Sequence, residues 1–317
     1  ATSPWWRSLD GTWQFTGFTR PEDVSAQSLL GHDAEAAEAG TPDRMEVPGA
    51  WTLQGFSAPH YTNVVMPFSG EPPSVPELNP TGVYVQRVTI PKDWLGRRVV
   101  LRVGASESVV VAFVDGVAVG SGTDSRLPSE FDLTPHVRAG RRATIALVVI
   151  RWSAQTWVED QDQWWHGGLQ RSVSLHSTAP DHLARVELIP GLEPSLRPRR
   201  RTGGRDGASS SGTSPSAATG SASSTGTLDV RIDVAGPAIS TSSDSLDGPP
   251  PATVEVTVET ERGRFLAGTG RLDVPVWNAA SEITQLVSAM YVQPGSIRAR
   301  LEVPNVEAWS AESPKRY

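Results

Sequence analysis

Ser108-Val-Val-Val-Ala-Phe-Val114, Asp115-Gly116, Val117-Ala-Val-Gly120 is the stretch that decides the fold. Two β-branched runs flank a two-residue Asp-Gly pair, and such pairs take the positive φ angles of the hairpin turn whose twist matches that of its strands. Working outward, residues 83–90 and 98–103 read as short strands, with Pro91 and Gly96 punctuating the turn between them, and Thr144 to Arg151 reads as another. Helical periodicity is weak apart from a short turn near Ala26 to Ala39. The expectation is an all-β chain whose first part, residues 1–178, is a sandwich with jelly-roll connections.

A Pro-containing turn near Ser177 to Asp181 precedes a new strand, Leu183 to Ile189. Further candidates are Thr227 to Val234, Thr253 to Thr260, Gly270 to Val274 and Ser296 to Val303, a set that suits an immunoglobulin-like β-sandwich over 179–317. Arg197 to Gly226 is an Arg cluster followed by Ser, Gly, Ala and Thr repeats. With almost no large apolar residue it cannot offset its ordering entropy by burial, and its composition predicts a disordered insertion at 197–226. Residues 235–251 read as a second such loop.

Composition narrows the function classes. The 317 residues carry a formal net charge of −7, which gives no basic surface for nucleic acid or anionic lipid; Arg199-Arg200-Arg201 reads as a solvated run. There is no apolar run near the length of a membrane span and no basic-then-apolar leader, so the reading is a cytoplasmic protein without a membrane partner. Zero cysteines exclude disulfides and thiolate metal sites within this chain. No His-x-His spacing, Gly-x-Ser-x-Gly or phosphate-binding Gly-rich loop occurs, which removes support for transition-metal, serine hydrolase and nucleotide chemistry.

The chemistry concentrates in Val158-Glu-Asp-Gln-Asp-Gln-Trp-Trp165. Carboxylates and carboxamides hydrogen-bond several hydroxyls at once or ligate a hard cation, and an indole face stacks on the C–H face of a sugar ring. Asp160 and Asp162, two apart, share one side if the run is extended. Trp164 and Trp165 are the ligand candidates among the 11 tryptophans, whereas Trp13, Trp51 and Trp152 read as core. Arg126 reads as an ion-pair brace to Glu130 or Asp132, and His60 and His166 lie near the motif loops.

Taken with Leu9-Asp-Gly-Thr-Trp-Gln-Phe15, Val47-Pro-Gly-Ala-Trp51, Asn79-Pro-Thr-Gly-Val-Tyr84 and Thr123-Asp-Ser-Arg-Leu-Pro-Ser-Glu-Phe-Asp-Leu133, this run resembles the sugar-binding domain of glycoside hydrolase family 2 β-galactosidases over roughly residues 5–180. A weaker likeness covers Val306 to Tyr317, similar to the last strand of that family's immunoglobulin-like domain. The resemblance implies a galactose-binding-like jelly roll and retaining hydrolysis of terminal β-D-galactosides such as lactose. It further implies catalytic glutamates in a third, (β/α)8-barrel domain absent from this chain, so that the chain alone is inactive. By the same resemblance Asn79 implies a galactosyl hydroxyl contact and Asp162 a sodium ligand that also touches the galactosyl ring. Sodium and magnesium belong to the full-length enzyme, none is expected to bind this chain tightly, and the full-length protein is expected to be a homo-oligomer. The alternatives are a β-glucuronidase or β-mannosidase fragment, or a stand-alone carbohydrate-binding module; Asp160-Gln161-Asp162 and the Ser125 to Leu133 run favour galactose.

Overall fold

The computed structural model describes residues 3–32, 37–63, 66, 68–159, 161–192, 224–236, 253–274, 295–307 and 311. Asp160, Arg199–Arg201, most of 197–226, almost all of 235–251 and most of Val306 to Tyr317 lie outside the described residues. The chain divides into two compact units, Ala1–Ala179 and Pro180–Tyr317.

In the first unit a six-stranded antiparallel sheet runs in the order Arg44–Val47, Gly11–Phe18, Thr81–Thr89, Arg142–Ile150, Val109–Val114, Val117–Gly122. A four-stranded sheet follows the order Trp6–Ser8, Val173–Thr178, Arg98–Val103, Ser129–Asp132. The hairpin turn has the expected geometry, with φ of 49° at Asp115 and 81° at Gly116, and Val114 pairs Val117. Strand Arg142–Ile150 alternates sides: Ile145, Leu147 and Val149 enter the main core with Trp13, Trp51, Tyr84 and Leu101, while Ala146 and Val148 join Phe18, Val83, Val85 and Leu29 in a second cluster. That second cluster is capped by helix Ala26–Leu29, whose N-cap Ser25 accepts from Ser28 N. A strand covered on both faces reads as a continuous apolar run, which is why residues 145–150 carry no polar residue.

The second unit is smaller in apolar content. Strands His182–Leu192, Ser224–Ala235 and Ser296–Val306 form an antiparallel sheet. Two short ladders, Thr253–Val254 with Leu272–Asp273 and Thr257–Glu259 with Phe265–Gly268, complete the sandwich over Val230, Ile232, Ala267, Leu301 and Val303. The strand expected at Thr253 to Thr260 is thus two short pieces, and Ser224–Ala235 starts inside the stretch expected to be disordered, since Gly226 pairs both Leu192 and Val303.

Candidate functional site

Gln163–Trp165 pairs antiparallel with His60–Thr62, in the register Gln163 with Thr62, Trp164 with Tyr61 and Trp165 with His60. Alternation along the two strands sorts their side chains into an outer and an inner set. Trp164 and Tyr61 are exposed, at 56% and 49%, with ring centroids 5.3 Å apart. The Tyr61 hydroxyl donates to Asp162 Oδ1, and this bond holds the phenol pKa above its ordinary 10. Asp162, Tyr61 and Trp164 therefore form one exposed face with two hydrogen-bonding groups beside an aromatic wall.

The inner set is structural. Trp165 is fully buried, its Nε1 donating to Thr62 Oγ1 at 2.9 Å and its ring 5.9 Å from that of Trp152, so the expectation that it lines the sugar site is corrected: it has no free face. Asn79, too, is placed otherwise than expected. It is buried, with Nδ2 donating to Trp152 O at 2.8 Å and Oδ1 accepting from Trp152 N at 2.9 Å. Its carboxamide is used on the Trp152 main chain. His60 packs edge-on to Trp152 at 5.4 Å, and its burial lowers its pKa. Beneath them Arg151, fully buried, donates to Trp165 O at 2.8 Å and to Ser57 Oγ, and stacks 4.8 Å from the Trp152 ring. Burial lowers its pKa to about 10, opposed by the nearby Glu107 charge.

Glu107 is the residue the sequence reading passed over. Its carboxylate is 1% exposed and accepts from His166 N at 2.7 Å, Gly167 N at 2.5 Å, Gln170 Nε2 at 3.1 Å and Arg126 Nη1 at 2.9 Å. The expected brace from Arg126 to Glu130 or Asp132 is thereby corrected, because those carboxylates pair with Arg102 and Arg98 across neighbouring strands. The signal was available in principle: Glu107 is a lone charge between Gly104 and Val114 in an apolar and small-residue run, and a buried charge needs donors. The glycines that follow the aromatic pair are required locally. Gly167 and Gly168 take φ of 73° and 97°, and a Cβ on either would meet the Trp51 ring at 2.5 and 2.9 Å.

Among the described residues no three His, Cys, Asp or Glu side chains converge on a point that suits a metal ion. A hard cation takes about six oxygens, and Asp162 supplies one carboxylate already bonded to Tyr61, so these residues do not by themselves fit a sodium or magnesium site. Among the described residues no helix is long and apolar enough to cross a membrane.

Fold and face together define a β-sandwich with a carbohydrate-type surface of one carboxylate and two exposed rings. The chain belongs to the glycosyl hydrolases family 2, whose sugar binding domain matches residues 6–179. A β-galactosidase of Yersinia pestis bv. Antiqua (strain Angola) is 40% identical over 194 residues, covering 61% of this chain and 18% of the relative. One of Yersinia pseudotuberculosis serotype O:1b (strain IP 31758) is likewise 40% identical over 194 residues, covering 61% and 17%. The chain thus spans less than a fifth of these curated relatives. Among solved structures, a Ruminococcus gnavus β-glucuronidase in complex with uronic deoxynojirimycin aligns with TM-score 0.57 at 13% identity over 99% of this chain and 42% of that one. A Bifidobacterium dentium β-glucuronidase aligns with TM-score 0.56 at 17% identity over 99% and 44%. At such identities these likenesses show the fold alone.

Proposed function

We propose that this chain is the substrate-recognising part of a β-galactosidase, with the Asp162, Tyr61 and Trp164 face taking the terminal β-D-galactosyl unit. The observation that carries the reading is the convergence of those three side chains on one exposed face, beside relatives 40% identical that are β-galactosidases. Asp162 accepts from a sugar hydroxyl, Tyr61 Oη donates or accepts next to it, and Trp164 stacks on the ring's C–H face. Galactose is favoured over a glucuronide because a sugar carboxylate beside Asp162 would meet like charge, as would the chain's net −7. Hydrolysis falls to carboxylates other than that of this face, since cleavage needs two carboxyl groups across the scissile bond and the described face holds one, Asp162, which pairs with a tyrosine. Any sodium contact of Asp162 would likewise be one ligand in a shell completed from elsewhere.

The test is a fluorescence titration of the whole chain with galactose and with glucuronate. Galactose is expected to bind more tightly, and Trp164→Ala or Asp162→Asn to weaken it roughly tenfold, about 1.4 kcal/mol. Equal or tighter glucuronate binding, or galactose binding indifferent to both changes, would overturn the assignment.

A further inference from the structure

Two of the three residues of the exposed face, Asp162 and Trp164, lie in residues 161–165, and both ends of that segment are tied to the Asp124–Arg126 turn, the upstream end directly and the downstream end through Glu107. At the upstream end Ser125 N donates to Glu159 Oε1 at 3.0 Å. At the downstream end His166 N and Gly167 N donate to Glu107 Oε2, and Glu107 N in return donates to Gly168 O at 3.1 Å. Arg126, the residue after Ser125, joins the two ends: its Nη1 reaches Glu107 Oε1 and its guanidinium lies 5.2 Å from the Trp165 ring centroid. The turn is itself stiffened by Asp124 Oδ1, which accepts from Arg126 N at 2.8 Å and Leu127 N at 2.9 Å; these bonds hold the Asp124 carboxyl below its ordinary range.

A carboxylate as buried as Glu107 persists only when donors replace its water, and here every donor but Arg126 comes from residues 166–170. Binding groups held on short loops need such support, because a small displacement of a hydrogen-bonding or stacking group forfeits its contact. We propose that Glu107 and the Asp124-Ser125-Arg126 turn form a two-ended clamp that positions Asp162 and Trp164 for the sugar. The residues of the clamp are positioning residues, and the proposal rests on the reading of the exposed face given above. It also supplies a role for the Thr123 to Leu133 signature, which lies off that face.

The experiment measures amide hydrogen exchange over residues 161–168 and galactose affinity in the whole chain, for Arg126→Met, Glu159→Ala and Glu159→Gln. Losing either tie should speed exchange across 161–168 roughly tenfold or more while strand Arg142–Ile150 keeps its rate, and should weaken galactose binding. Glu159→Gln retains the acceptor for Ser125 N–H and should behave like the parent. Exchange in 161–168 that is unchanged, or that rises only in step with Arg142–Ile150, overturns the clamp. Should Arg126→Met fail to fold, the two Glu159 variants decide by the same criterion. A loosened segment with unchanged galactose affinity overturns the positioning role, whereas a parent chain that never binds galactose overturns the reading of the face instead.

Discussion

Strands Arg142–Ile150 and His182–Leu192 are both rich in aliphatic residues, yet they occupy opposite surroundings. In the first, five consecutive residues from Ile145 to Val149 are buried, because the four-stranded sheet covers one face and the Ala26–Leu29 helix with Phe18 covers the other. In the second, Leu183, Val186, Leu188 and Ile189 are all more than half exposed. The difference lies in what covers each strand and not in its own composition. The aromatic pair repeats the lesson one residue at a time, with Trp165 inside and Trp164 outside.

The largest break in this comparison comes from Trp165→Ala. It removes a buried indole and its bond to Thr62, and should cost about 3–5 kcal/mol in urea unfolding of the first unit, which carries nine of the eleven tryptophans as a fluorescence signal. A cost below about 1 kcal/mol would show that the site relaxes around the loss. Next in size, Leu147→Ala should destabilise the same unit by about 2–5 kcal/mol, the range for a buried leucine whose neighbours are held by two packed layers.

His60 sharpens the comparison through pH. Burial depresses its folded pKa below the ordinary 6.5, so the unfolded chain takes up the proton first as pH falls. Its contribution is therefore fully present above about pH 6.5 and is lost as pH drops through the folded value. Urea midpoints measured between about pH 7.5 and about pH 5 should fall less steeply in His60→Phe than in the parent; parallel curves would exclude His60 as the titrating group. The smallest expected effect is Val186→Ser on the exposed strand, within about 0.5 kcal/mol, as read by thermal unfolding of the second unit. A loss near that of Leu147→Ala would mean that the strand is covered in solution.

The local parts of this architecture were legible in the sequence. Asp115-Gly116 encodes its own turn, and the β-branched runs on either side mark the two strands that pair across it. Sequence separation hid the rest. Glu107 takes donors 59 and 60 positions away, at His166 and Gly167, and Arg126 finds it across 19 positions, so nothing near Arg126 distinguishes that partner from Glu130 or Asp132. Strand alternation already required Trp164 and Trp165 to face opposite ways, but which one faces in depends on Trp152, Thr62 and Arg151, which arrive from other strands and loops. The carboxamide of Asn79 meets the Trp152 main chain, a partner 73 positions on that nothing near Asn79 announces.

The two tied ends at Glu159 and His166 have a consequence for how such a domain diversifies. The six positions between them include Asp162 and Trp164, the groups that would meet a ligand, whereas the anchoring bonds to Glu107 and Ser125 engage only the flanks. Among the described residues 161–165, Trp165 is the one that is buried in the core. The segment is in effect an exchangeable cassette: substitutions at the exposed positions 162 and 164 are expected to retune which sugar is accepted at little cost to the scaffold's folding, and grafting those positions between family members is the natural route to moving specificity.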